Sequence, residues 1–292
     1  MTASPRRSKV PWALAVTVGL CSGLAGYVIH AARVNRIPKQ VVTVKRLTDT
    51  PGFEETPAIS PDGKAVAFVA ASGGRRQIWV APVDGGAPRV VTKDDADHFD
   101  PRWSPDSGRL IYFSAGAIWE IPAMGGEARR LVDAVAPGDL SHDGKLAFFQ
   151  LRNGAAELMV DGRAIRKLAG GDVYSNVRWA PDDKKISYLQ NTNLMVADLS
   201  GGEPVRAAGG DGVIQGFTWV LDNSGLIVST RGGELWFIPR SDRNSRTQLT
   251  FGELAYESPD ITPGGILVVS RRSLYASGAG QSDIVMFSGL KW

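Results

Sequence analysis

Pro57-Ala58-Ile59-Ser60-Pro61-Asp62-Gly63-Lys64-Ala65-Val66-Ala67-Phe68-Val69 is the stretch that decides the architecture of this 292-residue chain. Its first four residues read as a short strand, Pro61-Asp62-Gly63 as a turn, and Lys64 to Val69 as an apolar strand running back. Proline presets φ for the first turn position, aspartate bonds to nearby backbone, and glycine accepts a positive φ at the exit. Beyond Ser72-Gly73-Gly74-Arg75-Arg76 the pattern predicts a third strand, Gln77 to Pro82. Asp84-Gly85-Gly86 then turns the chain into a polar outer strand, Pro88 to Thr92.

The unit repeats. Its turn recurs as Ser104-Pro105-Asp106-Ser107, Ser141-His142-Asp143-Gly144, Ala180-Pro181-Asp182-Asp183, Val220-Leu221-Asp222-Asn223 and Thr262-Pro263-Gly264-Gly265, with steps of 44, 37, 39, 40 and 42 residues. A period near 40 carried by short strands specifies a β-propeller with one four-stranded blade per repeat. The fold expected is therefore an all-β, six-bladed propeller over residues 40–292. Trp103, Trp179 and Trp219 recur at one register of the first strand, which assigns them to packing between blades rather than to a stacking platform for a ligand. The last repeat supplies only three strands, and residues 44–48 match the outer-strand pattern of Arg129-Arg130-Leu131-Val132. The N-terminal strand is thus expected to complete the sixth blade and close the ring.

These turns, the Ile-Trp of the third strand and the Asp-Gly-Gly hairpin resemble the TolB-like, WD-like propeller repeats, from about Gln40 to Trp292. The resemblance implies a protein that receives peptide segments of partner proteins at one mouth of its channel, in a bacterial cell envelope.

Residues 10–32 carry no Asp, Glu, Lys or Arg, follow a basic tail (1–9) and precede a basic linker (33–39). The run is long enough to cross a bilayer as one helix, so a transmembrane anchor is expected; a cleaved signal peptide is the other reading. Basic residues flank the run on both sides and do not settle orientation. The resemblance points to the periplasmic side of the inner membrane, with a cytoplasmic propeller as the alternative. Eight of the 33 Lys/Arg precede Leu47, where there is no Asp or Glu, so 25 basic residues face 30 acidic ones in the remainder. A propeller near −5 behind a basic arm suits anionic lipid headgroups and excludes a nucleic-acid footprint. The single cysteine, Cys21, permits no disulfide framework.

Sequence motifs for chemistry are scarce. The chain has no Gly-x-Ser-x-Gly elbow, Walker A loop or dinucleotide glycine pattern, and only His30, His98 and His142 as histidines. Neither a cofactor nor a metal is expected. Asp94-Asp95-Ala96-Asp97-His98-Phe99-Asp100 is carboxylate-rich, but its spacing matches no calcium loop, and it reads as a solvated acidic connection. The loops leading into the innermost strands surround one channel mouth. They place Glu55, Asp97, His98, Asp100, Tyr174, Asn176, Gln215, Phe217, Tyr256 and Glu257 in a candidate binding rim, acidic with aromatics and amides interspersed. Such a rim suits a protein or peptide ligand. The function expected is a non-catalytic, membrane-anchored scaffold docking envelope proteins. A sensor binding a sugar or short peptide in the channel, and a hydrolase or lyase with an unrecognised carboxylate site, are the alternatives.

Overall fold

A computed structural model describes residues 42–49, 52–209, 212–242, 245–273 and 281–290. The apolar run 10–32 and the basic tail and linker lie outside them. Among the described residues, no helix is long and apolar enough to cross a membrane.

Six antiparallel sheets of four strands form the propeller. The innermost strands are Glu54–Ile59, Phe99–Trp103, Asp139–Leu140, Tyr174–Trp179, Ile214–Trp219 and Leu254–Ile261. Blades 1 to 5 are contiguous in sequence. Blade 6 is ordered in space as Thr43–Arg46, Ser282–Ser288, Leu267–Ser273 and Leu254–Ile261, so the first strand of the chain is the outer strand of the last blade. Thr43 pairs with Ser288 and Arg46 with Val285, and the Leu47 N–H extends the ladder to the Ile284 carbonyl at 2.8 Å. This pairing makes the first and last of the described strands neighbours in one sheet and so closes the ring.

Each Ser-Pro-Asp-Gly turn is held by its own side chains. The Ser60 hydroxyl donates to Asp62 Oδ1 at 2.6 Å and accepts the Ala65 N–H at 3.0 Å, while the Gly63 N–H reaches the Ser60 carbonyl at 2.8 Å. Ser104 and Asp106 repeat the arrangement at 2.5 Å. The serine and amide bonds hold the carboxyls of Asp62 and Asp106 below the usual carboxylate range. Gly63 has φ of 72°, a left-handed conformation that only glycine adopts at no steric cost.

The core is a set of seams. Each of six buried clusters joins two neighbouring blades, from Val69, Ile78, Leu110 and Tyr112 between blades 1 and 2 to Phe68, Val66, Val268 and Ile284 between blades 6 and 1. The first-strand tryptophans sit in these seams. The Trp103 indole N–H donates to the Ala58 carbonyl of the preceding blade at 2.8 Å, and Trp219 donates to the Ser187 hydroxyl at 2.8 Å. Trp179 packs with Phe149 and Tyr188 in the seam between blades 3 and 4.

Candidate functional site

The channel is lined by one residue per blade, two positions before the first residue of each turn. In order around the ring these are Ala58, Arg102, Asp139, Arg178, Thr218 and Asp260. A strand alternates its side chains between faces, and a bulge resets which face a residue takes. Inner strands of five blades have such a register shift just before the ring position, between Glu55 and Ala58, Phe99 and Arg102, Ser175 and Arg178, Ile214 and Gly216, and Glu257 and Asp260. Thr56, Asp100, Asn176 and Ser258 occupy four of these bulges with φ near +50° (47°, 48°, 53° and 50°). Pro57, Pro101 and Pro259 follow three of them, where a residue without an N–H costs the ladder nothing.

Two aspartates of the ring fasten blades together. Asp260 Oδ2 accepts the Ile59 N–H at 2.9 Å across the seam between blades 6 and 1, and Asp139 Oδ2 accepts the Trp179 N–H at 2.8 Å across the seam between blades 3 and 4. Burial pushes the Asp139 carboxyl up to about 6 against the opposing pull of the Arg102 guanidinium. Burial raises Asp100 and Asp260 as well, again opposed by Arg102. Arg102 lies 4.0 Å from Asp100 Oδ1 through Nη2 and 4.0 Å from Asp260 Oδ1 through Nη1, close enough for attraction and too far for a hydrogen bond. Arg178 donates from Nη1 to the Val177 carbonyl at 2.7 Å.

The ring forms the base of a cavity of about 190 Å³ that opens on the face carrying the Ser-Pro-Asp-Gly turns. Pro61, His142, Pro181, Leu221 and Pro263 from those turns make its collar. His142 stands in the turn and is exposed. Among the described residues, no group of three or more His, Cys, Asp or Glu side chains is placed to hold a metal ion.

The rim expected from the loops leading into the innermost strands lies at the opposite end, and the structure distributes its residues differently. Glu55 lies 3.4 Å from the Arg76 guanidinium, Asp97 accepts the Arg76 backbone N–H at 2.9 Å, and Glu257 accepts from Arg272 at 2.9 Å. Glu55 and Glu257 are therefore answered by arginine side chains of the second hairpins and Asp97 by a backbone N–H there, which the inner-strand loops alone do not reveal. The connection 94–100 is solvated only in part: Asp94, Asp95 and Phe99 are exposed, while His98 is buried. His98 is 1% exposed, sits edge-on to Tyr112 at 4.8 Å and places Nε2 3.0 Å from Asp94 Oδ1; burial pushes its imidazole pKa down. Gln77 reaches the Asp94 and Ala96 carbonyls at 2.9 and 3.1 Å. Asp100 has turned into the channel beside Arg102. Tyr174, Phe217 and Tyr256 are buried in seams, with the Tyr174 hydroxyl on the Ala169 carbonyl at 3.1 Å and Tyr256 against Phe287 at 5.6 Å. Asn176 bonds the Gln215 carbonyl at 3.3 Å, and Gln215 is exposed.

The ring residues Arg102, Arg178, Thr218 and Asp260 escaped the sequence reading, which took in Asp139 only as part of a loop at the channel mouth. Their signal is positional: one fixed register of the inner strand carries Arg, Asp, Arg, Thr and Asp.

A six-bladed propeller with a charged ring at the base of one mouth is the class of protein that fold and site define. A family model described as the TolB beta propeller domain matches residues 32–193, and the chain belongs to that family. It is 25% identical over 147 residues to the uncharacterized protein Atu1656 of Agrobacterium fabrum, covering 50% of this chain and 42% of that protein. It is 25% identical over 184 residues to the uncharacterized peptidase YuxL of Bacillus subtilis, covering 56% of this chain and 27% of that protein. The chain thus spans less than half the length of either relative. Among solved structures it is similar to TolB from Acinetobacter baumannii (TM-score 0.59, 18% identity, 78% of this chain and 65% of that one). It is also similar to an oligogalacturonate lyase from Vibrio parahaemolyticus (0.57, 13%, 86% and 94%) and to a luciferin-regenerating enzyme (0.64, 12%, 85% and 96%). At these identities the likeness is one of fold.

Proposed function

We propose that this chain is a docking module that presents the turn-face mouth of its channel to a peptide segment of a protein partner. The observation that carries the reading is the form of that mouth: a collar of prolines and Leu221 around a cavity of about 190 Å³ with charged groups at its base. A cavity of this size admits one side chain or chain end, so affinity rests on one buried anchor and the collar around it. The blades are fixed to one another by seams and by the Asp139 and Asp260 cross-blade bonds, which suits rigid presentation. We further propose that residues 10–32 anchor the propeller at the inner membrane, a reading supported by their length and lack of charge, and that the propeller lies on the periplasmic side, a reading supported by its TolB-like family.

Photo-cross-linking in whole cells tests the docking reading. A benzophenone amino acid at exposed His142 marks the turn face, and one at exposed Leu151, on the hairpin between second and third strands, marks the other. Adducts from position 142 that are absent from position 151 are expected. Adducts from position 151 alone, or from neither, overturn it.

A second reading is favoured by Asp139, a channel carboxyl pushed up to about 6, the range in which a carboxyl serves as a general acid or base. Its class would be a hydrolase or lyase, in line with the lyase and the luciferin-regenerating enzyme among the similar structures. Turnover of ester or oligogalacturonate substrates that disappears in Asp139→Asn would establish it. No turnover by the wild-type protein would remove it.

A further inference from the structure

Three N–H groups at the base of the channel donate to nothing: Arg102 Nε and Nη1, and Arg178 Nε. Arg102 is 6% exposed and Arg178 8%, so bulk water does not reach these atoms freely. A buried charged donor without an acceptor is costly. The ring's own acids do not relieve them. The oxygens of Asp100 and Asp260 stand 4.0 Å from Arg102, and Asp260 and Asp139 are already committed to the Ile59 and Trp179 N–H groups across blade seams. Swinging either acid toward a guanidinium would strip a backbone N–H at a seam. One oxygen of each of these two aspartates, Oδ2, is held at a seam, while the guanidinium N–H groups are left without an acceptor.

We propose that the ring is a carboxylate-binding subsite, in which Arg102 and Arg178 receive a carboxylate of the docked peptide through the turn-face mouth. The inference rests on the docking reading given above and names the chemistry of its anchor. Guanidinium N–H groups in a fixed fork match the two oxygens of a carboxylate and form charge-assisted bonds to it. The charged and titratable groups facing the subsite are Arg102 and Asp100 from blade 2, Asp139 and the collar's His142 from blade 3, Arg178 and the collar's Asp183 from blade 4, and Asp260 from blade 6; blades 1 and 5 present Ala58 and Thr218. Burial raises all three acids, so the channel sheds negative charge before an exposed carboxylate does, and binding tightens as the pH falls through the range in which Asp139, pushed up to about 6, takes its proton. The cavity of about 190 Å³ is the room of roughly six waters at about 30 Å³ each, enough for a carboxylate and the carbons that bear it. The carboxylate can come from a chain terminus or from an acidic side chain, and the two are separable by probe.

The experiment is arginine Nε–H NMR on the full-length chain in detergent, with signals assigned from Arg102→Lys and Arg178→Lys. Acetyl-Gly-Gly supplies a terminal carboxylate, acetyl-aspartate amide a side-chain carboxylate, and acetyl-Gly-Gly-amide neither. Saturable shifts of the Arg102 and Arg178 signals with one or both carboxylate probes, and none with the amide, are expected; the tighter probe identifies the source. Affinity should fall roughly tenfold in Arg102→Lys, which keeps the charge and loses the fork. Unmoved signals, or equal shifts with the amide, overturn the proposal. Unmoved signals with cross-linking intact at position 142 would leave the docking reading standing and remove this subsite alone. Carboxylate shifts without cross-linking would uphold the subsite and remove peptide docking.

Discussion

Thr48→Val is the substitution that interrogates ring closure at a single atom. The Thr48 hydroxyl accepts the Ile284 N–H at 2.9 Å and donates to Glu54 Oε2, and it is 3% exposed. Glu54 is 0% exposed and stands where blades 6 and 1 meet; its carbonyl accepts from the hydroxyls of Ser270 at 2.6 Å and Ser282 at 2.8 Å. Valine keeps the shape of threonine and removes the oxygen. The loss is one neutral hydrogen bond, about 1 kcal/mol, plus one to a buried carboxylate, about 1.5–3 kcal/mol, for a total of about 3 kcal/mol. For a domain of this size the melting temperature should fall by roughly 6–12 °C. Two internal controls calibrate the result. Thr92 and Thr250 hold the same register in blades 1 and 5, accepting the Ile78 and Leu235 N–H groups at 2.9 Å with no carboxylate described beside them. Their valine variants should lose about 1 kcal/mol and roughly 2–4 °C. Differential scanning calorimetry on the three variants reads all of this. If Thr48→Val costs no more than Thr92→Val, the Thr48–Glu54 latch contributes nothing to closure and the reasoning fails.

Further outcomes are expected. Deleting residues 42–48 removes the outer strand of blade 6 and should lower the melting temperature far more than Thr48→Val; an unchanged melt would refute closure by that strand. Asp139 carries a folded-state pKa of about 6 against an ordinary 3.8, so its protonated form is favoured by folding. Its contribution is therefore full below about pH 4 and is lost as pH rises through 6, an amount on the order of 3 kcal/mol. Asp139→Asn retains an acceptor for the Trp179 N–H, so its stability relative to wild type should rise by about that amount between pH 4 and pH 7.5, measured by denaturant titration; parallel curves would refute the shift. Chelator should leave the melting temperature unchanged, because the described acidic residues form no metal-holding group. A fall of several degrees would show that a metal is bound.

The blade count was legible because it rests on turn chemistry, and Ser60, Asp62 and Gly63 make in space the bonds their types announce. The seam role of Trp103 and Trp219 was legible for the same reason: one register, repeated, meets one environment. The channel ring was not. Which side of an inner strand faces the axis depends on bulges at Thr56, Asp100, Asn176 and Ser258, and a bulge changes facing without changing composition. The opposite mouth was hard to read for a second reason. Glu55, Asp97 and Glu257 look like a free acidic rim until Arg76 and Arg272, from hairpins 15 to 21 residues away in sequence, are placed against them. His98 had no period to declare it, and its burial against Tyr112 is a tertiary fact.

The most direct test of the docking claim is selection of displayed peptides on the full-length protein, with counter-selection on an Arg102→Gln/Arg178→Gln variant whose melting curve shows it folded. The account predicts a family of peptides that share an anchor residue, bind wild type, and lose binding in the variant and when Leu221 in the collar is made Asp. Peptides that bind wild type and variant alike, or that map to the face bearing Leu151, would contradict it.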